Sequence, residues 1–448
     1  MKCWLSWLLI LSWSGNVLWG AVEEKNVREL DSYFATPETL WQLTPGELRQ
    51  KHWFAWNSNR KTQLRYAANE SSIRTELWGC KIVEGLISFR DDRAVEAAML
   101  FLSRGDSGFI DRKTFFDVLD RVRTAVVERW GKAPAEEIRR LEAGKKMHLL
   151  HWKGAQDEVR LVWSYTGRDS SRKEDSFYGE YVKLTITATD KSSPTASPAA
   201  VPADKDLRLN LKKSSDGDVV IENIPMVDQG RKGYCVVATA ERVLRYYGER
   251  IDQHVLAQVS DTSCYGTQLD KMQEGMDRLE KRFHFNHRSL YLQKPPGSNI
   301  LKKIYQAYND IARKNKKTRY SYTEFCRLLM EIDNMSSKNM PLDYEVFMAV
   351  KKKVRRSDYR NFLRDVRKYV DQGIPCVWSV MLGLVPEENL PQAFGGHQRL
   401  IIGYNLRRNL IYYSDSWGRG HEKKSMTMDE AWTITLALDV YIPRTRRW

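Results

Sequence analysis

A cysteine, a histidine and an aspartate in the C-terminal half of the sequence have the types and spacing for nucleophilic catalysis by a thiol. Cys235 ends the polar, glycine-bearing segment DQGRKGYC and is followed by apolar residues at helical spacing up to Gly248. This pattern predicts a thiol in the first turn of a helix, where the partial positive charge of the helix N-terminus favours thiolate. Gln229, six residues earlier, could donate its side-chain amide to an oxyanion, together with a backbone N–H of the helix.

A thiol nucleophile needs a base, and His397 has the most suitable setting among the histidines. The segment FGGHQRLIIGYN predicts a buried strand that begins near His397, and NLIYYSDSWG predicts a second strand that ends at Asp415. The polar residues 405–409 between them predict a hairpin turn, so antiparallel pairing should bring His397 and Asp415 to the same end. Asp415 could then accept from the far ring nitrogen and fix the tautomer of His397, with Trp417 shielding that hydrogen bond from water.

The other cysteines offer weaker candidates for a nucleophile. Cys264 lies in the loop SDTSCYGTQ and has no helical stripe after it, whereas Cys326 and Cys376 are predicted to lie in the core. No C-x-x-C pair occurs, and His148 and His151 should lie on opposite faces of a predicted strand. We therefore expect no metal site and no organic cofactor.

The order Gln229, Cys235, His397, Asp415 resembles that of the papain-like cysteine peptidases. The segment DSWG at 415–418 is similar to their Asn-Ser-Trp-Gly, with Asp in place of Asn, and DQGRKGYC resembles the bacteriocin-processing, double-glycine leader peptidases, the thirty-ninth family of cysteine peptidases. The likeness covers roughly 220–445 and is strongest to the stand-alone domains of exported bacterial proteins. It implies a helical lobe that carries the thiol and an antiparallel sheet that carries histidine and aspartate. Transporter-linked members precede membrane spans and an ATPase, which this sequence does not contain, so bacteriocin maturation is not the expected activity.

The N-terminal half carries no comparable constellation, but its composition predicts how the chain is organised. Residues 1–20, with Lys2 followed by CWLSWLLILSW, predict a signal peptide and hence an exported protein, periplasmic, in the cell envelope or extracellular. Residues 21–74 are predicted as a helical segment, 75–190 as a small β-β-α-β-β-β domain of unknown role, and 191–219, rich in Pro, Ala and Ser, as a linker. Residues 220–448 would form the peptidase domain, and no other stretch is apolar enough to span a membrane.

Positive charge is concentrated in one part of the predicted peptidase domain. The 448-residue chain carries a net charge of +15, and residues 281–370 hold 22 Lys and Arg against 8 Asp and Glu, a net +14. This basic, helix-like insert separates Cys235 from His397. It is either a solvated helical face or a surface for an acidic substrate or anionic polymer. No nucleic-acid partner is expected.

The sequence therefore predicts an α+β protein, with a papain-like fold after a small N-terminal domain, that hydrolyses peptide bonds. Cys235 would be the nucleophile, His397 the base and Asp415 its orienting acid, with Gln229 and the backbone N–H of Cys235 as oxyanion donors. Two alternatives stay open. One is a transglutaminase-like acyl transferase on the same scaffold, and the other is a peptidase-like module that binds peptide or polymer without cutting it.

Overall fold

The computed structural model describes residues 27–444 except 69, 141–145, 168–176, 190–205, 250, 261, 263–279, 281–282, 284, 295, 334–341 and 393. The predicted signal peptide, residues 191–205 of the predicted linker and the thiol of Cys264 lie outside the described residues. Helices and mainly antiparallel sheets are both present, which makes the fold α+β as predicted. Within the described ranges, none of the helices is both long and apolar enough to cross a membrane.

The first described residues form short elements that lead into a large sheet. They comprise β1 (Val27–Glu29), a 3-10 helix (Asp31–Phe34), α1 (Pro37–Gln42), α2 (Pro45–Lys51), β2 (Ala55–Trp56), β3 (Gln63–Ala67), β4 (Arg74–Leu77) and β5 (Cys80–Lys81). The segment 21–74, predicted to be helical, contains the helices α1 and α2 but also strands, so the helical prediction covers only part of it. Strand β3 pairs with the next strand of the large sheet. It was missed because it contains Arg65, whose charge suggests a solvent-facing position. In the structure Arg65 is buried and forms ion pairs.

The large sheet belongs to what we call the first domain, residues 27–189. It is built with β6 (Glu84–Arg90), β7 (Arg93–Ser103), β8 (Glu137–Arg140), β9 (Lys146–Lys153), β10 (Asp157–Thr166) and β11 (Tyr178–Ala188) in the order β2-β3-β6-β7-β11-β10-β9-β8. Two helices follow β7, α3 (Arg104–Ser107) and α4 (Arg112–Trp130), and α4 buries an apolar stripe that includes Phe115, Leu119 and Val122. The predicted β-β-α-β-β-β elements coincide with β6, β7, α4, β9, β10 and β11, and the sheet extends beyond them at both edges.

A second sheet organises what we call the second domain, residues 206–444. Its strands are β12 (Leu211–Lys213), β13 (Asp218–Ile221), β14 (Phe285–Leu292), β15 (Cys376–Leu382), β16 (Gly395–Asn405), β17 (Leu410–Ser414), β18 (Lys424–Thr427) and β19 (Thr435–Pro443). The order is β12-β13-β16-β15-β19-β14, with β17 also paired to β16 and β18 to β17. The linker was predicted to extend to 219, but a 3-10 helix (Leu207–Asn210), β12 and the first half of β13 lie within it. These short strands gain order by pairing, β12 with β13 and β13 with β16.

The helices of the second domain pack around this sheet. They are α5 (Cys235–Tyr246), α6 (Gln253–Val259), α7 (Ser298–Lys314), α8 (Tyr322–Asp333), α9 (Tyr344–Val354), α10 (Arg356–Val370) and α11 (Met428–Ile434). Helix α5 packs on β16, and α10 packs on β13, β15 and β16. The predicted helical insert 281–370 also contains strand β14, which pairs with β19 and whose alternating polar residues follow from its position at the sheet edge.

Candidate active site

The thiol of Cys235 lies at the first residue of helix α5, as the sequence predicted. Eleven of the twelve residues of α5 are buried, so the helix is held on all sides by the core of the second domain. Thr239, one turn further, donates its hydroxyl to the carbonyl oxygen of Gln398 at 3.2 Å and joins α5 to strand β16. This packing brings the start of α5 beside the strand that carries His397.

Strand pairing brings His397 and Asp415 together. Strands β16 and β17 pair antiparallel with Leu400 opposite Ser414, and Asp415 follows directly after β17. His397 Nε2 lies 2.9 Å from Asp415 Oδ1, and both side chains are fully buried. The indole of Trp417 stacks on the imidazole with ring centres 4.0 Å apart and planes 5° apart. The aspartate therefore fixes the Nε2–H tautomer of His397, and Trp417 covers one face of its ring.

The sulfur of Cys235 approaches the backbone next to His397. The backbone N–H groups of Gln398 and Val236 lie close enough to the thiol to favour its charged form and lower its pKa. The other ring nitrogen of His397, Nδ1, is buried and has no hydrogen-bond partner among the described residues. With Nε2 held by Asp415, Nδ1 is the ring atom that remains available to accept a proton from the thiol.

Burial determines the protonation of this pair in the closed site. Cys235 is 5% exposed, and burial raises the pKa of its thiol to about 11, although the nearby backbone N–H groups of Gln398 and Val236 oppose that shift. Burial also lowers the pKa of His397, although Asp415 opposes that shift. With these shifts, thiol and imidazole are both neutral at pH 7, because desolvation outweighs the helix N-terminus, which by itself favours thiolate.

Arg399, which the sequence analysis missed, shares Asp415 with His397. Its Nε donates to Asp415 Oδ1 at 2.8 Å, and its Nη1 lies 2.9 Å from Glu387 Oε2. Burial alone would raise the pKa of Asp415, but Arg399 and the hydrogen bond from His397 hold it well below its usual range. Arg399 follows His397 by two residues on the same strand, so the alternation of side chains places both on one face. This alternation is the sequence pattern that could have identified Arg399.

Arg242, on helix α5, fixes the backbone around Asp415. Its Nη1 donates to the carbonyl oxygen of Asp415 at 2.8 Å, and its Nη2 donates to Ser414 Oγ at 2.5 Å. The guanidinium is almost fully buried, and burial lowers its pKa to about 10. The helix that carries the thiol and the segment that carries the aspartate are thus joined by charged hydrogen bonds.

Gln229 is held by the DSWG segment. Its backbone N–H donates to the carbonyl oxygen of Ser416 at 2.8 Å, and Ser416 Oγ donates to Gln229 Oε1 at 2.7 Å. Gln229 Nε2 donates to the carbonyl oxygen of Lys232 at 3.2 Å, which leaves its second N–H for another acceptor. The structure therefore brings all four predicted side chains, Gln229, Cys235, His397 and Asp415, to one region where α5, β16 and the DSWG segment meet.

Three other histidine and cysteine side chains differ in how closely they match their predicted positions. His421 Nδ1 lies 3.9 Å from Asp415 Oδ2, so His421 adjoins the site although its sequence setting gave no sign of this. Cys376 is buried in β15, as predicted, and Cys326 on α8 is half-buried, less than predicted. Over the described ranges, no group of three or more His, Cys, Asp or Glu side chains is placed to hold a metal ion.

Comparison with known proteins agrees with the geometry. Residues 221–442, about half of the chain, match the model of the Peptidase_C39 like family, and this match begins in β13 and ends in β19. Comparison with curated proteins finds no match. The matched range contains Gln229, Cys235, His397 and Asp415, and none of the first domain. The chain therefore carries a domain of the Peptidase_C39 like family and is a cysteine peptidase hydrolase.

Proposed function

We propose that the protein hydrolyses peptide bonds through a Cys235–His397–Asp415 triad on a papain-like scaffold, with a helical lobe for the thiol and a sheet for the base. The observation that carries the proposal is the state of the imidazole. Nε2 is committed to Asp415 at 2.9 Å, and Nδ1 is buried without a partner in the described part of the chain. An unpaired buried ring nitrogen costs stability and needs an explanation, and accepting the thiol proton is one.

The neutral starting pair defines the order of proton transfers. As the sulfur of Cys235 bonds to the carbonyl carbon of the substrate, its proton passes to His397 Nδ1, and Asp415 stabilises the imidazolium through Nε2–H. The imidazolium then donates that proton to the leaving amine, and the acyl group stays on sulfur. Water, deprotonated by His397, attacks the thioester and releases the carboxylate product and the free thiol.

The developing oxyanion would be held by Gln229 and the backbone N–H of Cys235. Ser416 binds Gln229 Oε1, which directs the amide nitrogen of the side chain away from Ser416. One Nε2–H is used by the carbonyl of Lys232, and the second would bind the oxyanion. An amide donor fixed before the substrate arrives stabilises charge without reorganisation.

The two alternatives predict different products from one experiment. Purified protein would be incubated with a peptide library containing free amines, and the products would be identified by mass spectrometry. We expect new peptide termini with the wild type and none with Cys235→Ser. Amide cross-links without hydrolysis would instead identify a transglutaminase-like acyl transferase, and unchanged peptides would identify a binding module.

An acidic partner at the basic insert is a separate proposal, supported by the surface of helix α10. Lys353 and the α10 residues Arg356, Arg360, Arg364 and Arg367 recur every three or four residues and are exposed, opposite a buried stripe that includes Phe362 and Val366. Successive positions four residues apart are separated by about 6 Å along the helix axis. A stripe of this kind suits a chain that carries repeated negative charges, either an acidic peptide substrate or an anionic polymer.

Export is also a proposal, and it rests on the signal-like sequence at 1–20. The mature protein would then begin near residue 21, in the periplasm, in the cell envelope or outside the cell. Fractionation of the producing cells followed by mass determination of the intact protein tests this. A full-length mass in the cytosolic fraction would contradict it.

A further inference from the structure

The loop between Gln229 and Cys235 is anchored by the first domain, which lies outside the range that matches the peptidase family. Lys232, in the middle of this loop, is 4% exposed. Its ammonium donates to Asp106 Oδ2 at 2.8 Å and to Glu84 Oε2 at 3.1 Å. Asp106 lies in α3 and Glu84 in β6, both in the first domain. A lysine is buried at such depth only when its charge is compensated, and both carboxylates come from across the domain boundary.

The backbone of Lys232 connects this anchor to the candidate oxyanion site. Its carbonyl oxygen accepts from Gln229 Nε2 at 3.2 Å and from the backbone N–H of Tyr234 at 2.7 Å. One residue therefore orients the side-chain amide of Gln229 and also the residue that precedes Cys235. A shift of Lys232 would move both proposed oxyanion donors.

The aromatic residue before the thiol also rests on the first domain. The ring of Tyr234 lies under the Lys232 ammonium, 4.8 Å from the ring centre. It packs so closely on Gly105 that a β-carbon added there would lie 2.3 Å from the ring. The first domain thus accommodates Tyr234 at a position where only glycine leaves room.

A second set of contacts fixes the start of the same loop. Arg65 of β3 donates from Nε to Glu84 Oε1 at 2.8 Å and from Nη1 to Asp228 Oδ2 at 3.3 Å. Asp228 Oδ1 in turn accepts from the backbone N–H of Gly230 at 2.9 Å, where the chain turns with a positive φ of 68°. Glu84 therefore serves both contacts, with one oxygen on Arg65 and the other on Lys232.

We propose that the first domain is part of the catalytic apparatus and that Glu84 and Asp106 are positioning residues for the oxyanion loop. This rests on the proposed peptidase function and deepens it. Neither carboxylate touches the substrate. They hold Lys232 in the interior, and Lys232 holds Gln229 and the start of α5 in the geometry that binds the oxyanion.

The test uses the full chain with Asp106→Ala, Asp106→Asn and Lys232→Met, and with Lys183→Met as the matched control. Lys183 also forms a half-buried ion pair across the domain boundary, with Asp252, but has no contact with residues 228–235 among its described bonds. We would measure kcat and KM on a peptide from the library and the hydrogen exchange of residues 228–235 by mass spectrometry. We would also measure the thermal midpoint to establish that each variant is folded.

We expect Asp106→Ala and Lys232→Met to lose about 100-fold in kcat, close to the loss of one oxyanion donor, with KM little changed. Asp106→Asn should regain part of that loss, because its amide oxygen still accepts from Lys232. Exchange in residues 228–235 should rise in the two impaired variants. The Lys183→Met control should leave kcat and loop exchange unchanged.

The outcomes separate this inference from the proposed function. Equal kcat values for Asp106→Ala and Lys183→Met would overturn the positioning role, as would faster loop exchange with an unchanged kcat. Hydrolysis that persists in Cys235→Ser would instead overturn the proposed triad. If the wild type hydrolyses nothing, the peptidase proposal fails. The hydrogen exchange of residues 228–235 and the alkylation rate of Cys235, compared between the variants and the wild type, then still decide whether the first domain positions this loop.

Discussion

The pair of hydrogen bonds on Asp415 Oδ1 predicts how the enzyme should respond to Asp415→Asn. Two donors converge on this oxygen, His397 Nε2 at 2.9 Å and Arg399 Nε at 2.8 Å. An asparagine in this position should turn its carbonyl oxygen, and not its NH₂ group, towards both donors. The Nε2–H tautomer of His397 is then retained. Arg399 keeps its charge compensated by Glu387, so the substitution leaves no buried ion unpaired.

The size of the effect follows from the change in hydrogen-bond strength. A hydrogen bond to a charged acceptor contributes roughly 1.5–3 kcal/mol and one to a neutral acceptor roughly 0.5–1.5 kcal/mol, so Asp415→Asn should cost about 1–1.5 kcal/mol in transition-state stabilisation. This corresponds to a loss of about 10-fold in kcat/KM. Asp415→Ala removes the acceptor and frees the ring, and should cost about 3 kcal/mol, which is roughly 100-fold or more.

The assay compares kcat/KM of both variants with the wild type on the best library peptide. Glu387→Gln is the matched control, because it makes the same carboxylate-to-amide change on the other side of Arg399 without touching His397. Its kcat/KM should stay close to that of the wild type. Equal losses for Asp415→Asn and Asp415→Ala would refute the reasoning and would mean that Asp415 supplies charge and not orientation.

Three further results are expected. The rate at which iodoacetamide alkylates Cys235 should keep rising with pH up to about 9, because burial raises the pKa of its thiol to about 11; a plateau near pH 6 would show a preformed ion pair with the imidazole. Burial lowers the pKa of His254, at the domain boundary, to about 4. The free energy of unfolding should therefore fall by about 3 kcal/mol as pH drops from about 6.5 to 4. His254→Gln should flatten this decline in urea unfolding curves, and an unchanged decline would mean that the charge on His254 does not cause it. Changing Lys353, Arg356 and Arg360 to Gln should remove the salt-sensitive advantage of acidic over neutral peptides, since exposed charges are screened within about 8 Å at physiological ionic strength; identical responses of the two peptides would leave the stripe as a solvated face.

Local sequence patterns predicted the helix and the hairpin that position the candidate site residues. The helical stripe after Cys235 and the hairpin between His397 and Asp415 both depend on neighbouring residues, and the structure brings these three side chains to one region. The protonation of the thiol could not be read in the same way. It depends on how deeply Cys235 is buried, and that is set by packing across the whole second domain.

The prediction failed where a charged residue is buried by distant partners. Lys232 and Arg65 carry charges that are normally found at the surface, and nothing near them in the sequence indicates that they are buried. Their carboxylate partners include Glu84, which is 148 residues before Lys232 along the chain. The same effect concealed strand β3. The short strands β12 and β13 were missed for a related reason, since β12 is ordered by pairing with β13 and β13 by pairing with β16, and not by their own composition.

The position of His397 within the second sheet has a consequence for how the enzyme should lose activity on heating. Strand β16 pairs with β15 at His397 and with β17 and β13 further along, from Leu400 onwards, and each of its eleven residues is buried. Segments with this degree of pairing open only when the whole domain opens, whereas strands at the edge fray at far lower cost. The base is therefore protected from partial melting, and the temperature of inactivation should coincide with that of cooperative unfolding. Replacement or shortening of peripheral strands such as β12 should lower neither temperature by much.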